Sequence, residues 1–224
     1  MRVVIFGATG MVGGGALREA LDAREVEEVV TVGRRPTGLS HPKLAEVVHD
    51  DLFDYTPVRD RLGGLDACFF CLGVTSAGMR EDAYRRVTLD LTVAAARALL
   101  ELSPGMTFCF VSGAGTDSTE RGRVMWARVK GAAENALFGM PFKAVYAFRP
   151  AFIQPLRGTR SRTRLYLAFY AVTSPLYPLL RRLFPRWVTD SVTVGRALIR
   201  VAAEGYPKRI LENEDVNVAG ARTA

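Results

Sequence analysis

Acidic residues are missing from a long part of this chain: between Asn135 and Thr189 there is not one Asp or Glu. The same part carries Lys143, Arg149, Arg157, Arg160, Arg162, Arg164, Arg181, Arg182 and Arg186. Against a net charge of +7, those cations leave the remainder at about −2, so the basicity belongs to one region. Histidine is scarce, with two in 224 residues, and the three cysteines have no framework spacing. That argues against a disulfide scaffold and a zinc site, and it makes a reducing cytoplasm the expected compartment. No low-complexity tract or internal repeat occurs, which excludes a disordered or solenoid chain. Long apolar runs are also lacking. Leu165 to Leu180 is interrupted by Pro175 and Pro178, and falls short of the roughly 20 apolar residues a spanning helix needs. No secretory leader is expected, because the chain opens on a strand-like run and a glycine loop.

What is present begins at that opening. Val3 to Phe6 is a short apolar run suited to a strand buried on both faces of a parallel sheet. Gly7, Gly10 and Gly13 follow at three-residue spacing, and Ala16 to Leu21 reads as helix. In such a strand-turn-helix the first glycine permits the tight turn, the second lets the backbone approach a pyrophosphate, and the third lets helix lie on strand. The helix start offers free N–H groups and a positive dipole end to phosphates. The expected pyrophosphate contacts are Gly7, Thr9, Gly10, Met11, Val12 and Gly13. A glycine-rich turn that only packs is the competing reading.

The second strand, Val29 to Val32, ends in Gly33-Arg34-Arg35-Pro36. An acid that would bind a ribose 2′-hydroxyl is absent there. The adjacent guanidinium groups of Arg34 and Arg35 suit a 2′-phosphate, so NADP(H) is expected over NAD(H). The third strand, Glu46 to Asp50, leads to Asp51 and Leu52, placed to flank an adenine; Asp51 reads equally as an N-cap. Val58 to Leu62 is a short helical connection. Asp66 to Gly73 is the fourth strand, whose Cys68 and Cys71 point to opposite faces and read as core residues. Gly73 and Val74 open a small-residue loop at the nicotinamide ribose.

Glu81 to Leu102 is expected as one amphipathic helix, with Tyr84, Val87, Leu91, Ala94 or Ala95, and Ala98 on its apolar face. Ser103-Pro-Gly105 stops it. A fifth strand, Met106 to Val111, ends at Ser112. A polar loop over Thr116 to Gly122, a helix over Val124 to Phe138 and a sixth strand over Lys143 to Phe148 complete the alternation. Such alternation specifies a Rossmann-type α/β fold with a doubly wound parallel sheet and a small C-terminal helical portion on the substrate side. At this length and composition the whole chain, 1–224, is expected to be one domain. Asp190 caps a helix over Val192 to Glu204, Lys208 to Leu211 is an edge strand, and Ala219 to Ala224 is expected to fray.

These motifs resemble the short-chain dehydrogenase/reductase superfamily, in its atypical and extended branch near the NAD-dependent epimerase/dehydratases. Small NAD(P)-binding proteins of the Tat-interactive-protein type look most similar. The carrying residues are Gly7-Ala-Thr-Gly-Met-Val-Gly13, Asp51-Leu52, Ser112, Lys130-Gly-Ala-Ala-Glu134 and Phe148-Arg-Pro150, in the family's order over residues 1–150. The resemblance implies hydride transfer to or from a small or lipophilic carbonyl or alcohol. It gives Ser112 the polarising role and Lys130 the nicotinamide ribose. The family's proton-transferring Tyr, four residues before the Lys, is replaced here by Trp126, whose indole N–H does not exchange a proton near neutral pH. Two readings follow: an oxidoreductase with another donor (Tyr146, Asp117, Tyr84 or water held by Ser112), or a non-catalytic NADP(H)-binding sensor.

The segment 151–189 reads as a basic, aromatic lid or subunit interface. Alternatively, 155–187 contacts a membrane surface, or forms a greasy substrate pocket with an anionic head-group site. Nucleic acid is not expected as a partner, since no recognition motif accompanies the charge.

Overall fold

The computed structural model describes residues 1–156, 177, 182–184 and 186–221. Its centre is a parallel sheet built from the apolar runs: β1 (Arg2–Phe6), β2 (Glu28–Gly33), β3 (Leu44–Val48), β4 (Ala67–Phe70), β5 (Thr107–Val111) and β6 (Ala144–Arg149). A further strand, β9 (Ile210–Glu212), pairs with β6, and the spatial order is β3-β2-β1-β4-β5-β6-β9. The chain direction of winding reverses between β1 and β4, which register Val3 with Ala67 and Phe6 with Phe70. A crevice therefore opens at the carboxyl ends of these strands, where ligands bind in sheets of this kind.

The period-2 alternation of strand side chains splits the core into two layers. Val4 and Phe6 of β1 face one side together with Phe70, Phe108, Phe110, Leu99, Ala133 and Leu137. Val3 and Ile5 face the other with Phe69, Phe148, Leu17, Val194, Leu198 and Val216. The first layer is roofed by α2 (Glu81–Arg85), α3 (Leu91–Leu102) and α4 (Met125–Phe138). The second is covered by α1 (Met11–Asp22), α5 (Ser191–Glu204) and α6 (Asn213–Ala219). Glycines bring α1 against α5: a Cβ at Gly15 would lie 2.6 Å from the Ser191 carbonyl oxygen, and one at Gly195 3.1 Å from Ala16 Cα.

Several sequence expectations shift. The helix expected over Glu81 to Leu102 contains a π-helical turn, Arg86–Asp90, between α2 and α3. That wider turn shifts the face, so the fully buried positions are Tyr84, Thr88, Thr92, Ala95 and Leu99, while Val87, Leu91 and Ala98 are only partly buried, Leu91 and Ala98 at the edge of the core. Asp190 caps α5 as expected, accepting from Thr193 N at 2.7 Å. The fraying expected from Ala219 does not begin there, and Arg222 to Ala224 lie outside the described residues. A capping box between Glu212 and Asp215 starts α6, Ala219 is buried, and a Cβ at Gly220 would meet the Thr193 carbonyl. A two-stranded parallel sheet, β7 (Phe152–Gln154) with β8 (Val188–Asp190), joins the ends of the basic segment. Most of the lid expected over 151–189, with Arg157, Arg160, Arg162, Arg164 and Arg181, lies outside the described residues. No helix among those described is long and apolar enough to cross a membrane.

Candidate functional site

The glycine turn sits at the carboxyl end of β1. Gly7 adopts φ +79°, and a Cβ there would lie 2.8 Å from the Cys71 carbonyl oxygen on the neighbouring strand end. A Cβ at Gly13 would lie 2.2 Å from the Gly7 carbonyl oxygen, so only glycine lets α1 rest on the turn. Gly10 is the N-cap of α1. It supplies no capping side chain, and no acid occupies the first turn. The amides of that turn are thus open to an anion.

From there a cavity of about 580 Å³ runs across the sheet ends. Gly10, Met11 and Val12 form one wall; Leu72 and Gly73 another; Ser112, Trp126 and Lys130 close the far side. Pro150 of the Phe148-Arg-Pro150 motif, together with residues the motifs did not single out, Val111, Ala114, Ala151 and Ile153, makes much of the lining apolar. Cys71 lines it too. It is only partly buried, beyond the last residue of β4, rather than a core cysteine like Cys68. Burial pushes its thiol up to about 12, so it stays protonated.

Arg34 and Arg35 are exposed just past β2, and among the described residues neither guanidinium has a partner. Asp51 does not cap a helix. Its Oδ1 accepts from Phe53 N at 2.9 Å and closes a turn in which Leu52 is buried. Thr9 is exposed, and so is Val74, outside the cavity lining. The expected residues therefore fall into two groups: Gly10, Met11, Val12, Gly73, Ser112, Trp126 and Lys130 around one cavity, and Arg34, Arg35, Asp51 and Leu52 at the ends of β2 and β3.

At the far wall, Ser112 Oγ lies 2.9 Å from Thr116 Oγ1, and the Thr116 hydroxyl donates to the Gly113 carbonyl at 2.7 Å. Since Thr116 has one hydroxyl proton, the hydrogen between the two oxygens is that of Ser112. Ser112 then faces the cavity with lone pairs rather than a free donor. Only the Thr116 position, four residues on, could have signalled this in the sequence.

Lys130 Nζ donates to the Ser112 carbonyl at 3.2 Å and lies 5.7 Å from the centre of the Phe110 ring. Burial lowers its pKa to about 8, opposed by the field of Glu134. Glu134, almost wholly buried, is itself held by Arg149, through Nε at 3.0 Å and Nη2. Arg149 also reaches Glu212 at 3.2 Å and Ser118. Two motifs far apart in sequence, Lys130 to Glu134 and Phe148 to Pro150, are thus joined by one buried ion pair.

None of the three side chains expected as other proton donors lines the cavity. Tyr146 lies on the opposite face of the sheet, its hydroxyl accepting from Tyr206 N at 3.1 Å. Tyr84 is buried in the core beneath α2, and desolvation raises its pKa. Asp117 accepts from the Thr119 hydroxyl and amide and from Gly122 N, bonds that shape the loop and hold its pKa down.

No protein-family model matches the chain. It is similar to curated proteins named "Protein FMP52, mitochondrial". The one from Debaryomyces hansenii is 29% identical over 167 residues, covering 73% of this chain and 70% of that protein. The one from Meyerozyma guilliermondii is 24% identical over 225 residues, covering 98% and 92%. The mitochondrial designation of these relatives overturns the cytoplasmic location expected from cysteine usage, an inference that sees only the redox state of a compartment. Among solved structures, MoeE5 in complex with UDP-glucose and NAD superposes with a TM-score of 0.64 at 18% identity, covering 94% of this chain and 74% of that one. The Bordetella bronchiseptica enzyme WbmF in complex with NAD+ gives 0.66 at 15%, covering 97% and 76%. UDP-N-acetylglucosamine 4-epimerase from Methanobrevibacter ruminantium gives 0.66 at 15%, covering 94% and 75%. The fold is that of the extended, epimerase/dehydratase-type short-chain dehydrogenases/reductases, as the motifs led us to expect.

Proposed function

We propose that this chain binds a nicotinamide dinucleotide, NADP(H) in preference to NAD(H), and acts as an oxidoreductase on a small or lipophilic carbonyl or alcohol. The observation that carries the reading is the single cavity joining the first turn of α1 to Ser112 and Lys130. The cradle fits the cofactor. Gly13 leaves no room for a Cβ, the first turn of α1 carries no acid, and the two arginines at the end of β2 are unengaged among the described residues. Gly7, Thr9, Gly10, Met11, Val12 and Gly13 would hold the pyrophosphate, Arg34 and Arg35 the 2′-phosphate, and Asp51 and Leu52 the adenine. Gly73, Val74 and Lys130 would hold the nicotinamide ribose, and when bound the cofactor supplies or accepts hydride. The apolar lining with Trp126 favours a lipophilic substrate. The NAD complexes of the structural neighbours support the dinucleotide; their sugar-nucleotide ligands are not carried over, because this lining is largely apolar.

A second reading, a non-catalytic NADP(H)-responsive binding protein, rests on Trp126 in place of a titrating side chain. Calorimetric titration of NADPH and NADH into wild type and Arg34→Ala/Arg35→Ala tests the cofactor. NADPH should bind at least tenfold more tightly, and the double variant should lose that preference. Absence of binding by either nucleotide would refute both readings.

A further inference from the structure

We propose that Lys130 is the proton-transferring residue of this site: its Nζ, on the wall of the cavity, gives a proton to the carbonyl oxygen of a bound substrate and takes it back in the reverse reaction. The proposal rests on the oxidoreductase reading above. The geometry reaches it by exclusion and by placement. Tyr84, Tyr146 and Asp117 do not line the cavity. The Ser112 hydroxyl is committed to Thr116, and the Trp126 ring holds its proton. Among the described residues, the titratable side chains that line the cavity are Lys130 and Cys71, and the thiol stays protonated near neutral pH.

Lys130 is also held in place without being neutralised. One N–H is anchored on the Ser112 carbonyl, which leaves two for a ligand, and among the described residues no carboxylate pairs with it. The charged groups on the elements packed around it are engaged elsewhere. Glu134 on its own helix is taken by Arg149 of β6, and Glu81 of α2 by Arg128. Arg86 and Asp90 on the π turn are exposed, and Tyr84 is buried away from the cavity. An ammonium in an apolar cavity with no counter-ion among the described residues yields its proton readily, and burial accordingly brings Lys130 to about 8, near a working pH.

In the reduction, one N–H bond of the ammonium breaks and one O–H bond forms on the substrate. The electron pair and hydrogen at the carbonyl carbon arrive as hydride from the reduced nicotinamide cofactor. The neutral amine regains its proton from solvent.

The chain has four lysines, Lys43, Lys130, Lys143 and Lys208, so a protein labelled with ¹³Cε-lysine gives a spectrum that can be assigned by substitution. The Lys130 signal, identified by its loss in Lys130→Arg, should titrate near pH 8, whereas Lys208, bonded to Asp215, titrates above the usual lysine value. Wild type should oxidise NADPH with aromatic or aliphatic aldehydes, with kcat/KM falling above pH 8. Lys130→Arg keeps the charge but not a transferable proton, so it should still bind NADPH, more weakly through its altered ribose contact, and at saturating NADPH lose turnover by about 10² or more. A Lys130 midpoint above 10, a turnover unchanged in Lys130→Arg, or nucleotide binding by wild type with no turnover would each overturn the proposal. Failure of wild type to bind nucleotide, with Lys130 still titrating near 8, would instead locate the fault in the cofactor reading and remove the proposal with it.

Discussion

Replacing Lys130 by Met should stabilise the protein at neutral pH relative to its effect at high pH. In the unfolded chain a lysine titrates near 10.4; in the fold Lys130 is lowered to about 8. Below pH 8 both states are protonated, and the fold bears the full penalty of a desolvated ammonium. Between about 8 and 10.4 the unfolded state binds more protons, so stability rises with pH, and above that the penalty is gone. The difference between 10.4 and 8 corresponds to about 3 kcal/mol. Lys130→Met removes that penalty, but it also removes the bond to the Ser112 carbonyl, which costs the variant a constant amount at every pH. That constant cancels when variant and wild type are compared at two pH values, as do the titrations of all other groups. The stability of Lys130→Met minus that of wild type should therefore be greater at pH 7 than at pH 10.5 by about 3 kcal/mol. For a chain of this size that is roughly 6–12 °C in Tm. Differential scanning calorimetry of both proteins from pH 7 to 10.5 measures it. A difference that does not change with pH, or grows as pH rises, would refute the assignment of Lys130 as a half-buried ammonium with no carboxylate partner among the described residues.

Glu134→Gln should cost about 3 kcal/mol, read as a fall of roughly 6–12 °C in Tm, because it strands a buried guanidinium whose remaining carboxylate, Glu212, is half exposed. The same variant should move the Lys130 midpoint below 8, since the Glu134 charge is what holds it up. Gly13→Ala should abolish nucleotide binding and lower stability, as its Cβ would stand 2.2 Å from the Gly7 carbonyl oxygen. Gly105→Ala, whose Cβ meets nothing within 4 Å, should leave calorimetric binding and unfolding unchanged.

The sheet was legible because its strands are short apolar runs set between turns, and the glycine spacing at residues 7, 10 and 13 announces a turn whose first and third positions only glycine fits. Elements smaller than a periodic pattern were not. β7 and β8 have three residues each and pair across a long intervening segment, and α6 depends on a capping box within Glu212 to Asp215. The π turn at Arg86–Asp90 keeps helical composition while rotating the face, so periodicity alone placed Val87 where Thr88 belongs. In the site, Lys130 and Ser112 were visible as types at a spacing. Their state was not, because it depends on partners brought from elsewhere: Thr116 fixes where the Ser112 proton lies, and Arg149 decides what Glu134 does.

That last contact explains why a lysine here can have a function a surface lysine lacks. Lys130 and Glu134 stand four apart on α4, a spacing at which opposite charges ordinarily pair and raise the lysine's affinity for its proton. Arg149, arriving at the end of β6, takes both Glu134 oxygens in a planar, bidentate grip that an ammonium cannot match. Lys130 is left feeling the carboxylate's field without bonding it, while burial acts against its charge. The chain uses arginine for 26 of its 30 cations, and an arginine at position 130 would hold its proton under any such environment. A lysine whose natural partner is occupied elsewhere is a group that can release one. Trp126, by lining the same cavity without a titrating atom, adds apolar surface around that amine rather than competing with it for the proton.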